Sequence, residues 1–116
     1  MLRARLLRPR LAVLLLALVS IPAAARSANF VLRGRVYAHT TIAHSLYVGV
    51  NDNYVTVRGD GSTDLDCWIY GDDGRLVDSD TDNTDYCVLE TPGIGVHRLV
   101  IKNYGEVYND YVVATR

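Results

Sequence analysis

The sequence is short of the residues from which most active sites are built. It has two cysteines and three histidines, and it contains no C-x-x-C, no H-E-x-x-H and no G-x-S-x-G segment. The missing C-x-x-C argues against a redox pair or a thiolate metal site. The other two absences remove the zinc-peptidase helix and the nucleophile elbow. His39, His44 and His97 are scattered, and the His44-Ser45 pair with a distant Asp makes a triad on paper only, because a triad is defined by geometry. Glycoside hydrolysis needs two carboxyls in distinct environments across a cleft, for which a domain of this size has little room. The chain is therefore expected to be non-catalytic.

Also missing is an apolar run long enough for a bilayer. The stretch Leu11–Ala25 is fifteen residues, against roughly 20 needed to span. Arg3, Arg5, Arg8 and Arg10 precede it, and Pro22-Ala23-Ala24-Ala25 ends it, the layout of a secretory signal peptide over 1–25 cut near Arg26. No cysteine stands at the cut to accept a lipid, and no twin-arginine pair is present, so general export without lasting membrane insertion is expected, to the periplasm or beyond. Basic charge is scarce once the leader is gone: eight basic residues face thirteen acidic ones, a net charge of about −5. Nucleic acid and anionic membranes, which need a basic face, are poor partners for such a chain. Residues 26–116 show no repeat, no low-complexity segment and no helix-length pattern, and they suffice for one small domain.

What the chain does have is concentrated between Arg58 and Cys87, where nine of the thirteen acids and both cysteines lie. In an exported domain, Cys67 and Cys87 are expected to form a disulfide. Closing a loop of about twenty residues stabilises a fold by roughly 3 kcal/mol, a large share of the ~5–15 kcal/mol typical of a domain. Leu65, Cys67 and Ile69 alternate with Asp66, Trp68 and Tyr70, and Cys87 and Leu89 alternate with Tyr86, Val88 and Glu90. Each apolar set shares a face with its cysteine, so a bridge across strands or sheets follows naturally. Further strands are expected at Phe30–Tyr37, Ile42–Val50, around Val55 and Val57, around Leu99 and Ile101, and over Tyr108–Thr115. Turns fall at Gly59-Asp60-Gly61, Asp72-Asp73-Gly74 and Pro92-Gly93. Asp73-Gly74 predicts a tight hairpin with positive φ values, joining Leu65–Tyr70 to Arg75–Ser79. Six to eight short strands at this spacing predict an all-β antiparallel sandwich of jelly-roll type with one disulfide, the alternative being a small closed barrel.

The run Gly59-Asp60-Gly61-Ser62-Thr63-Asp64-Leu65-Asp66 leads into Ile69-Tyr70 and then Asp72-Asp73-Gly74-Arg75-Leu76-Val77. It resembles the D-x-D-L-D-x-x-V-Y-D-x-x-G signature of bacterial pre-peptidase C-terminal domains. Asn103-Tyr104-Gly105 to Asn109-Asp110-Tyr111 resembles that family's closing N-x-G-x-x-x-N-x-Y stretch. The resemblance covers about Tyr54 to Thr115. It implies a jelly-roll sandwich of a kind usually appended to secreted proteases, in some relatives binding collagen or polysaccharide, sometimes with calcium. Here the domain is expected to stand alone. Relatives that bind calcium often draw acidic ligands from a segment before the sandwich, and residues 26–41 contain no Asp or Glu, so that site does not carry over.

Two constellations remain as candidate sites. Asp78, Asp80 and Asp82, with Asp85 just beyond, give the D-x-D-x-D spacing that suits calcium, a hard cation wanting six to eight oxygens. Asn83 in place of the turn glycine and Leu89 at the twelfth position rule out an EF-hand. No metal is required either, since carboxylates ~6.6 Å apart repel by only ~0.6 kcal/mol in water, and solvated Asx turns explain the same residues. The second set, Asp64, Asp66, Trp68 and Tyr70, near Asp60, would mix carboxylates with aromatic planes on one face, a surface suited to sugar; its alternative is packing and turn capping. Three functions follow: a secreted module binding an extracellular polysaccharide or protein, a structural envelope protein stabilised with or without calcium, or an accessory or inhibitor of an exported hydrolase; no cofactor is required by any of them.

Overall fold

The computed structural model describes residues 30–116, so the expected signal peptide lies outside the described residues. Eight antiparallel strands occur among these: β1 (Phe30–Val36), β2 (Thr41–Val48), β3 (Tyr54–Arg58), β4 (Leu65–Tyr70), β5 (Leu76–Asp80), β6 (Tyr86–Glu90), β7 (Gly95–Asn103) and β8 (Asn109–Thr115). They form two four-stranded sheets, β1-β8-β3-β6 and β2-β7-β4-β5. Every connection crosses between sheets except the β4–β5 hairpin, which is the jelly-roll arrangement. Among the described residues no ladder joins the sheets, which excludes the closed barrel.

The period-2 pattern of the sequence dictates the layers. Cross-strand pairs Ile69 with Leu99, Cys67 with Ile101, Val55 with Leu89 and Val57 with Val113 point inward, and all of them are buried. Cys67 of β4 and Cys87 of β6 form a disulfide with Cα atoms 6.2 Å apart. Those strands belong to different sheets, so the bridge staples the sandwich through its core. Its worth lies mainly in restricting the unfolded chain.

Two expectations change in detail. The hairpin after Tyr70 is a three-residue loop: Gly71 N–H donates to the Arg75 carbonyl and Gly74 N–H donates to the Gly71 carbonyl, with a positive φ at Gly74 only. Asp72 and Asp73 thus make an ordinary turn and Gly74 supplies the left-handed residue that restores the register. The second strand ends at Val48 rather than Val50, because Gly49 N–H donates to Asp52 Oδ2 at 2.6 Å and Asp52 N–H returns to the Gly49 carbonyl at 3.1 Å. That turn takes the backbone away from the sheet.

Two buried asparagines lock the loops at one end. Asn103 Nδ2 donates to the Val36 carbonyl at 3.1 Å and to the Val107 carbonyl at 2.9 Å, while its Oδ1 accepts from Gly105 N–H at 2.8 Å. Asn109 Oδ1 accepts from Asp60 N–H, and its Nδ2 donates to Thr63 Oγ1. The chain passes so close at Gly105 that a Cβ there would sit 2.2 Å from the Thr63 methyl carbon. The Asn and Gly positions of the closing stretch are therefore structural.

Candidate functional site

Because Leu65, Cys67 and Ile69 fill the core, Asp66, Trp68 and Tyr70 must stand on the outer face of the β2-β7-β4-β5 sheet. Register assembles the rest of that face. Trp68 lies beside Val100 of β7 and Ser79 of β5, and Val100 lies beside Ala43 of β2. In the next row Tyr70 stands between Arg98 and Leu76, and Tyr47 then pairs with Val96. Trp68 and Tyr70 are half-buried, whereas Tyr47 (61% exposed), Val96 (53%) and Leu76 (53%) are open to solvent. At the Tyr70 end, beside the β4–β5 loop, the face dips into a depression of about 430 Å3 lined in part by Ser45, Tyr70, Val96 and Arg98. The result is an apolar and aromatic strip with one exposed guanidinium in it.

The acidic members of that set behave differently from the aromatic ones. Asp66 shares the face but is sunk to 9% exposure. Burial, then the neighbouring Asp64, pushes its carboxyl above the usual range, against a hydrogen bond from Tyr104 that favours ionisation. Asp64, ahead of the strand, is also raised by burial and by Asp82 and Asp85. One oxygen of each carboxyl has no hydrogen-bond partner among the described residues. Lys102, next to Asp66 in register, places its ammonium 4.5 Å from the centre of the Tyr104 ring. Thus Asp66, Trp68 and Tyr70 do share one face, but the carboxylate is not presented to a ligand as the rings are.

The Asp78–Asp85 group is spread over separate duties. Asp78 Oδ2 accepts from Glu90 N–H at 2.8 Å and Asp80 Oδ2 accepts from Val88 N–H at 2.9 Å. These amides belong to β6, the outer strand of its sheet, and the two aspartates of β5 satisfy them from the facing sheet. They stitch the sandwich shut beside the disulfide and cover an edge that would otherwise offer free amides. Asp82 accepts from Thr84 N–H and Oγ1 within its own turn, and Asp85 Oδ2 accepts from Gly61 N–H at 2.6 Å. Among the described residues no group of three or more His, Cys, Asp or Glu side chains converges as a metal site would.

The histidines do not assemble a reactive centre. His44 Nε2 and the Tyr111 hydroxyl share a hydrogen bond of 2.6 Å at the core margin, where burial lowers the imidazole pKa. The buried His97 donates from Nδ1 to the Gly95 carbonyl, and His39 pairs with Glu106 on the surface. Neither His44 nor His97 has a carboxylate partner among the described residues. The β7 contribution to the outer face, Val96, Arg98 and Val100, was not anticipated from the sequence, although its own alternation with His97, Leu99 and Ile101 is the signal that exposes it.

No protein-family model and no curated protein sequence matches the chain. Among solved structures it is similar to Aeromonas hydrophila PliG, a periplasmic lysozyme inhibitor of g-type lysozyme, with a TM-score of 0.53. Sequence identity is 15%, over 83% of this chain and 93% of that one. At that identity the likeness is one of fold.

Proposed function

We propose that this protein is an exported, non-catalytic module that docks onto an exported hydrolase as an accessory or inhibitor, using the outer face of the β2-β7-β4-β5 sheet. The observation that carries this is the strip of Tyr47, Val96, Val100, Trp68, Tyr70 and Leu76 around Arg98. Solvent-facing aromatic and aliphatic side chains gathered around an arginine are the residue types that dominate protein interfaces, and single-domain proteins seldom leave such patches unused. The disulfide fits an oxidising compartment, and a periplasmic inhibitor with the same fold supports the choice of partner. The test is a binding and inhibition panel of exported hydrolases, including a g-type lysozyme. Saturable binding to one of them, weakened by Arg98→Glu and Tyr47→Ala with unchanged melting, is expected. Binding to none of them, or binding that both variants retain, would refute it.

A polysaccharide is the second reading, favoured by Trp68 and Tyr70 standing two residues apart on one strand, about 6.6 Å along it, where adjacent sugar rings could stack. Retention on a glycan array that Tyr70→Ala abolishes, with no hydrolase bound, would favour it over the first.

A further inference from the structure

The opposite sheet carries positive charge that the fold does not use. On its outer face Arg33 of β1, Val112 of β8 and Arg58 of β3 stand side by side in register, with Arg35 and Asp110 paired in the next row. Together with Asp60 they line a shallow groove of about 620 Å3. Of the two acids in it, Asp110 is paired with a guanidinium, whereas Asp60 keeps its charge and is satisfied by neutral donors. Asp110 receives Arg35 Nε at 2.7 Å and Nη2 at 3.1 Å. Asp60 accepts from the amide and hydroxyl of Ser62 and from Asp110 N–H. Arg35 is further held over the Tyr108 ring at 3.8 Å.

Arg33 and Arg58 are left over. Arg58 rests over the Tyr86 ring at 4.5 Å, which orients its guanidinium without neutralising it. Arg33 is exposed and has no ion-pair, hydrogen-bond or ring partner among the described residues. Two strand spacings, about 9.6 Å, separate the Cα atoms, a gap that two long side chains can close above the smaller Val112. Guanidinium forks bind planar and tetrahedral oxyanions through paired N–H donors. We propose that Arg33 and Arg58 form an oxyanion site, taking one carboxylate, sulfate or phosphate group of a ligand over Val112. The site lies on the opposite sheet from the hydrolase-docking face and does not depend on it.

Amide chemical-shift titrations of the isotope-labelled protein at low ionic strength test this with three probes: inorganic phosphate, sulfate and galacturonate. Sodium chloride at matched ionic strength is the reference for screening. Saturable shifts centred on Arg33, Val112 and Arg58 are expected with at least one probe, and the probe that saturates tells a tetrahedral anion from a carboxylate. Arg33→Gln and Arg58→Gln should each weaken that binding roughly tenfold, the value of one lost charge-assisted contact, with melting unchanged for Arg33→Gln and lowered by no more than a few degrees for Arg58→Gln, which also leaves the Tyr86 ring. Shifts that follow chloride for all three probes, or saturable binding that survives both substitutions, would overturn the proposal.

Discussion

Replacing Asn103 by alanine tests whether the closing Asn-Tyr-Gly stretch is an anchor. The side chain is fully buried at the end of β7 and serves three backbone groups: the carbonyls of Val36 and Val107 and the amide of Gly105. Water can reach the ends near Val107 and Gly105, which lie toward the surface, so each of those losses costs about 1 kcal/mol, the net worth of an ordinary hydrogen bond. The bond to the Val36 carbonyl is buried, and losing it costs about 1–3 kcal/mol. The total of about 3–5 kcal/mol corresponds to a fall in melting temperature of at least roughly 12 °C for a domain of this size. Urea unfolding followed by circular dichroism gives the number, and an unchanged m-value shows that the native fold is retained. Asn103→Asp, which keeps the acceptor and loses both donors, should also be destabilising. A loss below about 1 kcal/mol for the alanine variant would mean that the loops are held by something other than this side chain.

Other outcomes follow from the same geometry. Replacing both cysteines by alanine should remove roughly 3 kcal/mol and leave the far-ultraviolet spectrum that of a β protein; an unaltered urea midpoint would contradict the cross-sheet staple. Asp66 and Asp64 have raised folded-state pKa values, so the stability they contribute is fully present below the ordinary 3.8 and is lost as pH rises through the raised value. Asp66→Asn should therefore raise the melting temperature at pH 7, with an advantage that shrinks below pH 4; a variant less stable than the parent at pH 7 would refute the burial assignment. Asp60 and Asp110 run the other way, held low by the Asp110 amide and by Arg35 respectively, so their contribution is present above 3.8 and fades as pH falls through the depressed values. With Asp78 and Asp80 bonded to β6, calcium or excess chelator should move the melting temperature by less than about 1 °C, whereas a calcium-dependent rise of several degrees would establish a site among those carboxylates.

The central part of the fold was legible because its signals are local. The alternation of Leu65, Cys67 and Ile69 with Asp66, Trp68 and Tyr70 fixes which side of β4 is buried, and two inward cysteines on different strands can hardly avoid meeting. The loop after Tyr70 is one residue longer than a tight Asp73-Gly74 turn, since whether Asp73 or only Gly74 turns left-handed is decided by the Gly71–Arg75 pairing. The outer face was only half visible. Trp68 and Tyr70 could be placed together, but Val96, Arg98 and Val100 join them through a register between strands some thirty positions apart. Asp78 and Asp80 presented as a metal motif because spacing along one strand says nothing of β6 across the gap, whose amides they satisfy. A net charge of −5 likewise averages over both faces, and it conceals a row in which Arg33 and Arg58 stand on either side of β8.

The docking claim is tested most directly by a binding footprint. Amide shifts of the labelled protein are followed while the hydrolase bound in the panel is added. Docking through the β2-β7-β4-β5 sheet requires the largest changes at Tyr47, Trp68, Tyr70, Val96, Arg98 and Val100, with the β1-β8-β3-β6 face quiet. Changes confined to that second face, or none at any hydrolase concentration, would contradict it.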